Sequence, residues 1–117
     1  MKLIEAIIRR SKVDDVVHAL TARGINAMTI TDVRGTGRDR TFPETYRGIE
    51  HTSPFLPRVK LEAVVDDANA DDAVDAILLA AVTGKVGDGR VLIIDVEAMI
   101  HIRTGERQGG CLASAGD

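Results

Sequence analysis

The chain is short of several residue types, and each shortage closes off a class of protein. Tryptophan is absent, and one Tyr and two Phe hold aromatics to 3% of 117 residues. The core must therefore be built from Val, Ile, Leu and Ala. A single cysteine, Cys111, rules out an intramolecular disulfide framework and suits a reducing compartment. Neither sign of charge dominates: 15 Lys and Arg face 18 Asp and Glu, a formal net charge of -3. That balance offers no bulk attraction to nucleic acid or to an anionic membrane. No apolar run approaches the length of a membrane span. Residues 1–20 are charged throughout and lack the apolar stretch of a signal peptide. The three histidines, His18, His51 and His101, lack metal-ligand spacing, so no metal site is expected. What is present, 44% hydrophobic and 28% charged residues, is ordinary for a soluble globular protein. The expectation is one cytoplasmic domain with no nucleic-acid partner and no membrane insertion.

Residues 2–9 read as a strand, with Leu3, Ile4, Ala6, Ile7 and Ile8 apolar. Ser11 stands where an N-cap belongs, with Asp14 three residues on. Val13, Val16, Val17 and Leu20 then recur at helical spacing, so 12–22 is an amphipathic helix closed by Gly24. Residues 25–33, rich in Ile and Thr, read as a second strand. From Gly35 to Pro54 glycine, proline and charge interrupt any period, which marks a long loop. Residues 58–65 read as a third strand. Asn69 caps a second helix along the stripe Ala70, Ala73, Val74, Ile77, Leu78 and Ala81, ended by Gly84. Residues 90–96 make a fourth strand, 99–103 a further extended piece, and 107–117 a mobile tail. Two βαβ halves of this kind predict an α+β, ferredoxin-like βαββαβ fold with an antiparallel four-stranded sheet and both helices on one face.

Two helices bury one face of such a sheet, yet here both faces are apolar. Leu3 and Ile7 alternate with Ile4, Ala6 and Ile8, and Val91 and Ile93 with Leu92, Ile94 and Val96. Monomers rarely expose a patch of that kind, so other copies of the chain are expected on the helix-free face. Two Gly-rich turns, at 35–38 and 84–90, could aim backbone N–H groups at an anion beside Arg38, Arg90 and Arg103. Neither has the ending of a P-loop. The loop segment Tyr46, Arg47, Gly48, Glu50 and His51 suits docking on a partner protein. No nucleophile and base are paired as an enzyme would require, so no catalytic residue is assigned.

Five stretches together resemble the PII nitrogen-regulatory signal-transduction proteins: MKLIEAII at 1–8, YRG at 46–48, FLPRVKLE at 55–62, TGKVGDGR at 83–90 and IRTGE at 102–106. The resemblance covers residues 1–106, including a flexible loop at about 37–55. It implies a ferredoxin-like homotrimer with ATP or ADP as regulatory ligand in clefts between subunits. It also implies a loop that controls protein targets such as an ammonium channel, a transporter or an enzyme of nitrogen or carbon metabolism, with recruitment to a membrane protein among the possibilities. By position Ile7, Thr29, Glu62 and Val64 would hold base and ribose, and Gly37, Arg38, Gly87, Asp88, Gly89, Arg90 and Arg103 the phosphates.

The departures bear on the effector. Asp39 replaces the usual Gln beside Mg²⁺ and 2-oxoglutarate; its carboxylate can ligate Mg²⁺ but repels a dicarboxylate. Arg58 replaces the usual Lys, and His101 an arginine, which would make phosphate binding pH-sensitive. His51 and Ile49 replace the modifiable Tyr and Ser, so neither uridylylation nor phosphorylation is expected there. The leading reading is an adenylate-responsive regulator with Mg-ATP-dependent 2-oxoglutarate sensing. The alternative is a PII-like variant sensing adenine nucleotides alone, or with another small anion such as bicarbonate. An acyl-phosphate hydrolase on the same fold would need an Arg–Asn pair, and Asn26 and Asn69 are the only asparagines.

Overall fold

The structure, a computed structural model, describes residues 1–36, 42–46, 49–53 and 55–109. A four-stranded sheet carries the fold, built from β1 (Lys2–Ile8), β2 (Thr29–Gly35), β5 (Leu56–Val65) and β6 (Gly89–Asp95) in the order β2-β5-β1-β6. Every neighbouring pair is antiparallel. This is the ferredoxin-like arrangement that the strand and helix order implies.

Alternation assigns one face of the sheet to the core. Ile4, Ala6 and Ile8 of β1 are buried, as are Val59, Leu61, Ala63 and Val65 of β5. Against them pack α1 (Val13–Thr21), through Val16 and Leu20, and α2 (Ala70–Ala81), through Ala70, Ala73, Ala76, Ile77 and Ala81. The alanines bring the α2 backbone close to the sheet, so Ile77 alone supplies bulk on that helix's buried face. Leu78, expected in the stripe, is instead 53% exposed, because it lies past the edge of the buried arc.

Helix ends differ from the sequence expectation in instructive ways. Ser11 caps nothing: Arg10–Lys12 forms a 3₁₀ turn, and Lys12 N–H donates to the Arg9 carbonyl at 3.0 Å. Asn69 is the N-cap residue of α2, but its side chain makes no cap hydrogen bond, again after a 3₁₀ turn, Asp67–Asn69. Gly24 does close α1. Ile25 N–H reaches the Leu20 carbonyl and Gly24 N–H the Thr21 carbonyl, a pairing that needs the glycine's φ of 82°. The second helix stops earlier than Gly84, where Val82 turns extended at ψ 134°.

Strand boundaries shift as well. β2 begins at Thr29 rather than Ile25, and β5 begins at Leu56 rather than Arg58. The long loop contains a two-stranded ribbon, β3 (Phe42–Tyr46) paired with β4 (Ile49–Ser53), which forms a sheet of its own. Glycine, proline and charge leave that stretch without a periodic signature in the sequence. β7 (Ala98–Ile100) pairs with β8 (Arg107–Gly109), so the first three residues assigned to the tail are a strand. No helix among the described residues is long and apolar enough to cross a membrane.

Leu61 is fully buried at the centre of this packing. Leu61→Ala is expected to cost about 3 kcal/mol in urea unfolding, the usual loss for a leucine with little room to collapse. Loss under 1 kcal/mol would mean the core is not packed as described.

Candidate functional site

Residues directly opposite in an antiparallel sheet share a face. The face away from the helices therefore carries three rows: Thr31, Lys60, Ile7 and Arg90; Thr29, Glu62, Glu5 and Leu92; and Val64, Leu3 and Ile94. Val64, Leu92 and Ile94 are each about two-fifths exposed, at 38%, 40% and 41%. Lys60 reaches the Glu62 carboxylate at 4.0 Å, but Glu5 and Glu62 stand directly opposite one another. A mixed face of this kind, apolar with charges among it, is neither core nor ordinary solvent surface.

Four residues singled out from the sequence meet here. Thr29, Glu62, Val64 and His101 line one open cleft of about 540 Å³ with Leu3, Met28 and Met99. Ile7 lies one row away, opposite Lys60 on one side and Arg90 on the other. Arg58 lies on the same face at the start of β5, 9% exposed, with Nη1 donating to the Pro57 carbonyl at 2.8 Å.

The turn from Thr83 to Gly89 is organised by one carboxylate. Asp88 Oδ2 accepts the backbone N–H groups of Thr83 at 2.8 Å and Gly84 at 2.9 Å, and Oδ1 accepts the Thr83 hydroxyl. Arg9, at the end of β1, donates from Nε to Asp88 Oδ1 at 3.1 Å and from Nη2 to the Val86 carbonyl at 2.8 Å. The Thr83 hydroxyl and amide, together with Arg9 and the Gly84 amide, hold the Asp88 carboxyl well below the usual range. Asp88, expected among the phosphate-holding residues, thus spends its oxygens inside its own loop. Gly87 and Gly89 both have positive φ, 99° and 103°. At Gly89 a Cβ would fall 1.7 Å from the Ile7 carbonyl oxygen, so only glycine lets β6 start there.

Arg103 stands apart. It is exposed in the turn between β7 and β8, which is closed by Gly105 N–H on the His101 carbonyl at 2.7 Å and His101 N–H on the Glu106 carbonyl at 2.9 Å. That turn follows β6 at the Lys2 end of the sheet, whereas Gly87, Gly89 and Arg90 mark the Ile8 end. Seven strand residues separate the two ends, ~20 Å at the usual rise. In the ribbon, Tyr46 pairs with Ile49, while Glu50 and His51 pair with Thr45 and Glu44. Gly37, Arg38, Asp39, Arg47, Gly48 and Cys111 lie outside the described residues.

Sequence reasoning missed Arg9 and the hydroxyl of Thr83 as organisers of the turn. Arg9 is 79 residues from Asp88 in the chain, and only the β1–β6 pairing makes them neighbours.

The lowered Asp88 carboxyl fixes a sign. Folding reduces its proton affinity, so the turn's stabilisation is complete above about pH 4, the ordinary Asp value, and is lost only as pH falls below it. Asp88→Asn removes the charged acceptor at every pH. Amide hydrogen exchange at Thr83 and Gly84 is expected to quicken about tenfold at neutral pH, with β1 amides unchanged. Equal exchange in both proteins would refute this role.

Comparison with known proteins agrees with the fold. A sequence model of the family described as Nitrogen regulatory protein P-II matches residues 1–106. Nitrogen regulatory protein P-II of Pasteurella multocida (strain Pm70) is 52% identical over 106 residues, 91% of this chain and 95% of that protein. Nitrogen regulatory protein P-II 1 of Escherichia coli (strain K12) is 48% identical over 112 residues, 96% of this chain and 100% of that protein. The P-II protein of Klebsiella oxytoca is similar to the same degree, 48% over 112 residues. With the match running from the first strand through the β7–β8 turn, the chain belongs to the P-II family of nitrogen regulatory proteins.

Proposed function

We propose that this P-II-type signal transducer assembles as a cytoplasmic homotrimer, binds ATP or ADP at the seams between copies, and controls protein targets through its ribbon. One observation carries the reading: the helix-free sheet face is uncovered and its anion-binding groups are split. Gly87, Gly89 and Arg90 lie at one end of β6, and Arg103 lies beyond the other. A single chain cannot close both sets on one polyphosphate. Neighbouring copies, each contributing one set, can do so while burying Leu3, Val64, Leu92 and Ile94.

In this reading Thr29, Glu62 and Val64 form the wall for base and ribose, and Ile7 extends it toward Arg90. Glycine amides and arginines supply the charge-assisted hydrogen bonds that phosphates require. Asp88 serves by shaping the turn rather than by touching phosphate. The bound nucleotide acts through its unequal affinity for different ribbon positions, and no bond is made or broken. A second reading is favoured by the sequence at Asp39: its carboxylate beside a Mg²⁺-bound dicarboxylate is repulsive. That reading keeps nucleotide sensing and removes the 2-oxoglutarate response.

Sedimentation equilibrium is expected to give three times the 12.6 kDa of one chain. Calorimetry with ATP, ADP and AMP, each with and without Mg²⁺ and 2-oxoglutarate, tests the ligands. ATP and ADP should bind, and Arg90→Ala should weaken ATP by more than tenfold, the loss of one charge-assisted contact. An enhancement by 2-oxoglutarate selects the first reading, and its absence the second. A monomer, or a protein deaf to all three nucleotides, overturns both. Arg47→Ala should weaken capture of a partner and leave ATP affinity within about twofold; loss of both together contradicts a separate docking element.

A further inference from the structure

The turn between α2 and β6 has two halves whose backbone donors meet different fates. In the first half the N–H groups are spent. Thr83 and Gly84 donate to Asp88 Oδ2, and Lys85 donates to the Thr83 hydroxyl at 3.2 Å. In the second half the N–H groups of Val86, Gly87 and Asp88 meet no acceptor among the described residues. Consecutive unspent donors of this kind, just before Gly89 and Arg90, can serve an anion only if the backbone holds them in a fixed direction.

Arg9 fixes that direction for one of them. It follows Ile8, whose partner in the β1–β6 register is Gly89, so the sheet pairing itself brings Arg9 to the turn. Its guanidinium meets two unlike acceptors, the Asp88 carboxylate through Nε at 3.1 Å and the Val86 carbonyl through Nη2 at 2.8 Å. The Val86 carbonyl and the Gly87 N–H belong to one peptide plane, in which they point opposite ways. Holding the carbonyl on Arg9 therefore turns the Gly87 N–H away from Arg9. Without that hold the plane has little to orient it: Val86 is 62% exposed, and Gly87, at a φ of 99°, is free of the steric limits of other residues. The planar fork matters as much as the charge, since a lysine ammonium is a point charge on a flexible stem.

We propose that Arg9 is a positioning residue for polyphosphate: by fastening the Val86 carbonyl beside Asp88 it presents the Gly87 N–H to a phosphate oxygen. This rests on the nucleotide reading above and assigns to it a residue that touches no ligand. Nε and Nη2 of Arg9 are committed to protein atoms, so its effect passes through the orientation of one peptide. The wall of Thr29, Glu62 and Val64 does not contain Arg9, and contacts made there are independent of it.

Calorimetry with ATP, joined to amide resonances of ¹⁵N-labelled protein at saturating ATP, tests this on the full chain. Arg9→Ala is expected to weaken ATP about tenfold. Arg9→Lys, which keeps the charge and gives the same readings if Arg9→Ala folds poorly, should stay about threefold weaker than the unaltered protein. ATP should shift the Gly87 amide strongly in the unaltered protein and much less in either variant, while the shifts at Thr29 and Val64 persist in all three. Unchanged ATP affinity in Arg9→Ala overturns the proposal. So does a Gly87 shift that survives the substitution, which would mean that Arg9 acts by direct contact. Loss of the Thr29 and Val64 shifts along with that of Gly87 also overturns it, since the damage would then be general. Full recovery by Arg9→Lys does the same, since charge alone would suffice. An unaltered protein that binds no ATP overturns the nucleotide reading and this proposal with it, whereas normal binding that is indifferent to Arg9 overturns this proposal alone.

Discussion

One sheet with two apolar faces and helices enough for one is the constraint on which this molecule depends. Ile4, Ala6 and Ile8 of the central strand are consumed by α1 and α2. Leu3, Glu5 and Ile7 of the same strand face the other way, among residues that the chain's own helices leave uncovered. Nothing about β1 in isolation separates these two sets. The separation arises because both βαβ crossovers have the same hand and so deliver both helices to one side. One side of the sheet is thereby left open by folding.

The Ile8 end of that face depends on a turn braced from below. Arg9 and Asp88 tie the exit of β1 to the entry of β6, and Thr83 fills the remaining acceptor capacity of the carboxylate. Such a brace fixes a glycine-rich segment that would otherwise keep more backbone freedom. It also sets a guanidinium against the Asp88 carboxylate, which offsets the negative charge within the glycine-rich turn.

The strands, the helices and the two-faced sheet were legible from spacing alone, because burial imposes period on β1, α1, β5 and α2. The ribbon was not: among the described residues β3 and β4 pair only with each other. The 3₁₀ turns before both helices were also hidden, since Ser11 and Asn69 carry the composition of caps while the backbone satisfies itself. In the site, the family resemblance grouped Thr29, Glu62 and Val64, whereas His101, expected beside the phosphates, lines the same cleft as those three. Asp88 was singled out by the same route, and its bonds within the turn were not legible from it. Its hydrogen bonds to Thr83 are local; its bond to Arg9 depends on a contact between the two ends of the chain.

The close approach at Gly89 has a consequence for assembly of the sheet itself. β6 is an edge strand with apolar residues on both sides, the kind most able to pair one residue out of step. With the glycine opposite Ile8, the chain clears the Ile7 carbonyl, where a side chain at that point would fall within 2 Å of the oxygen. The missing side chain thus lets the two backbones close at the start of the edge strand. Any other residue there would force the strands apart before hydrophobic preference is consulted.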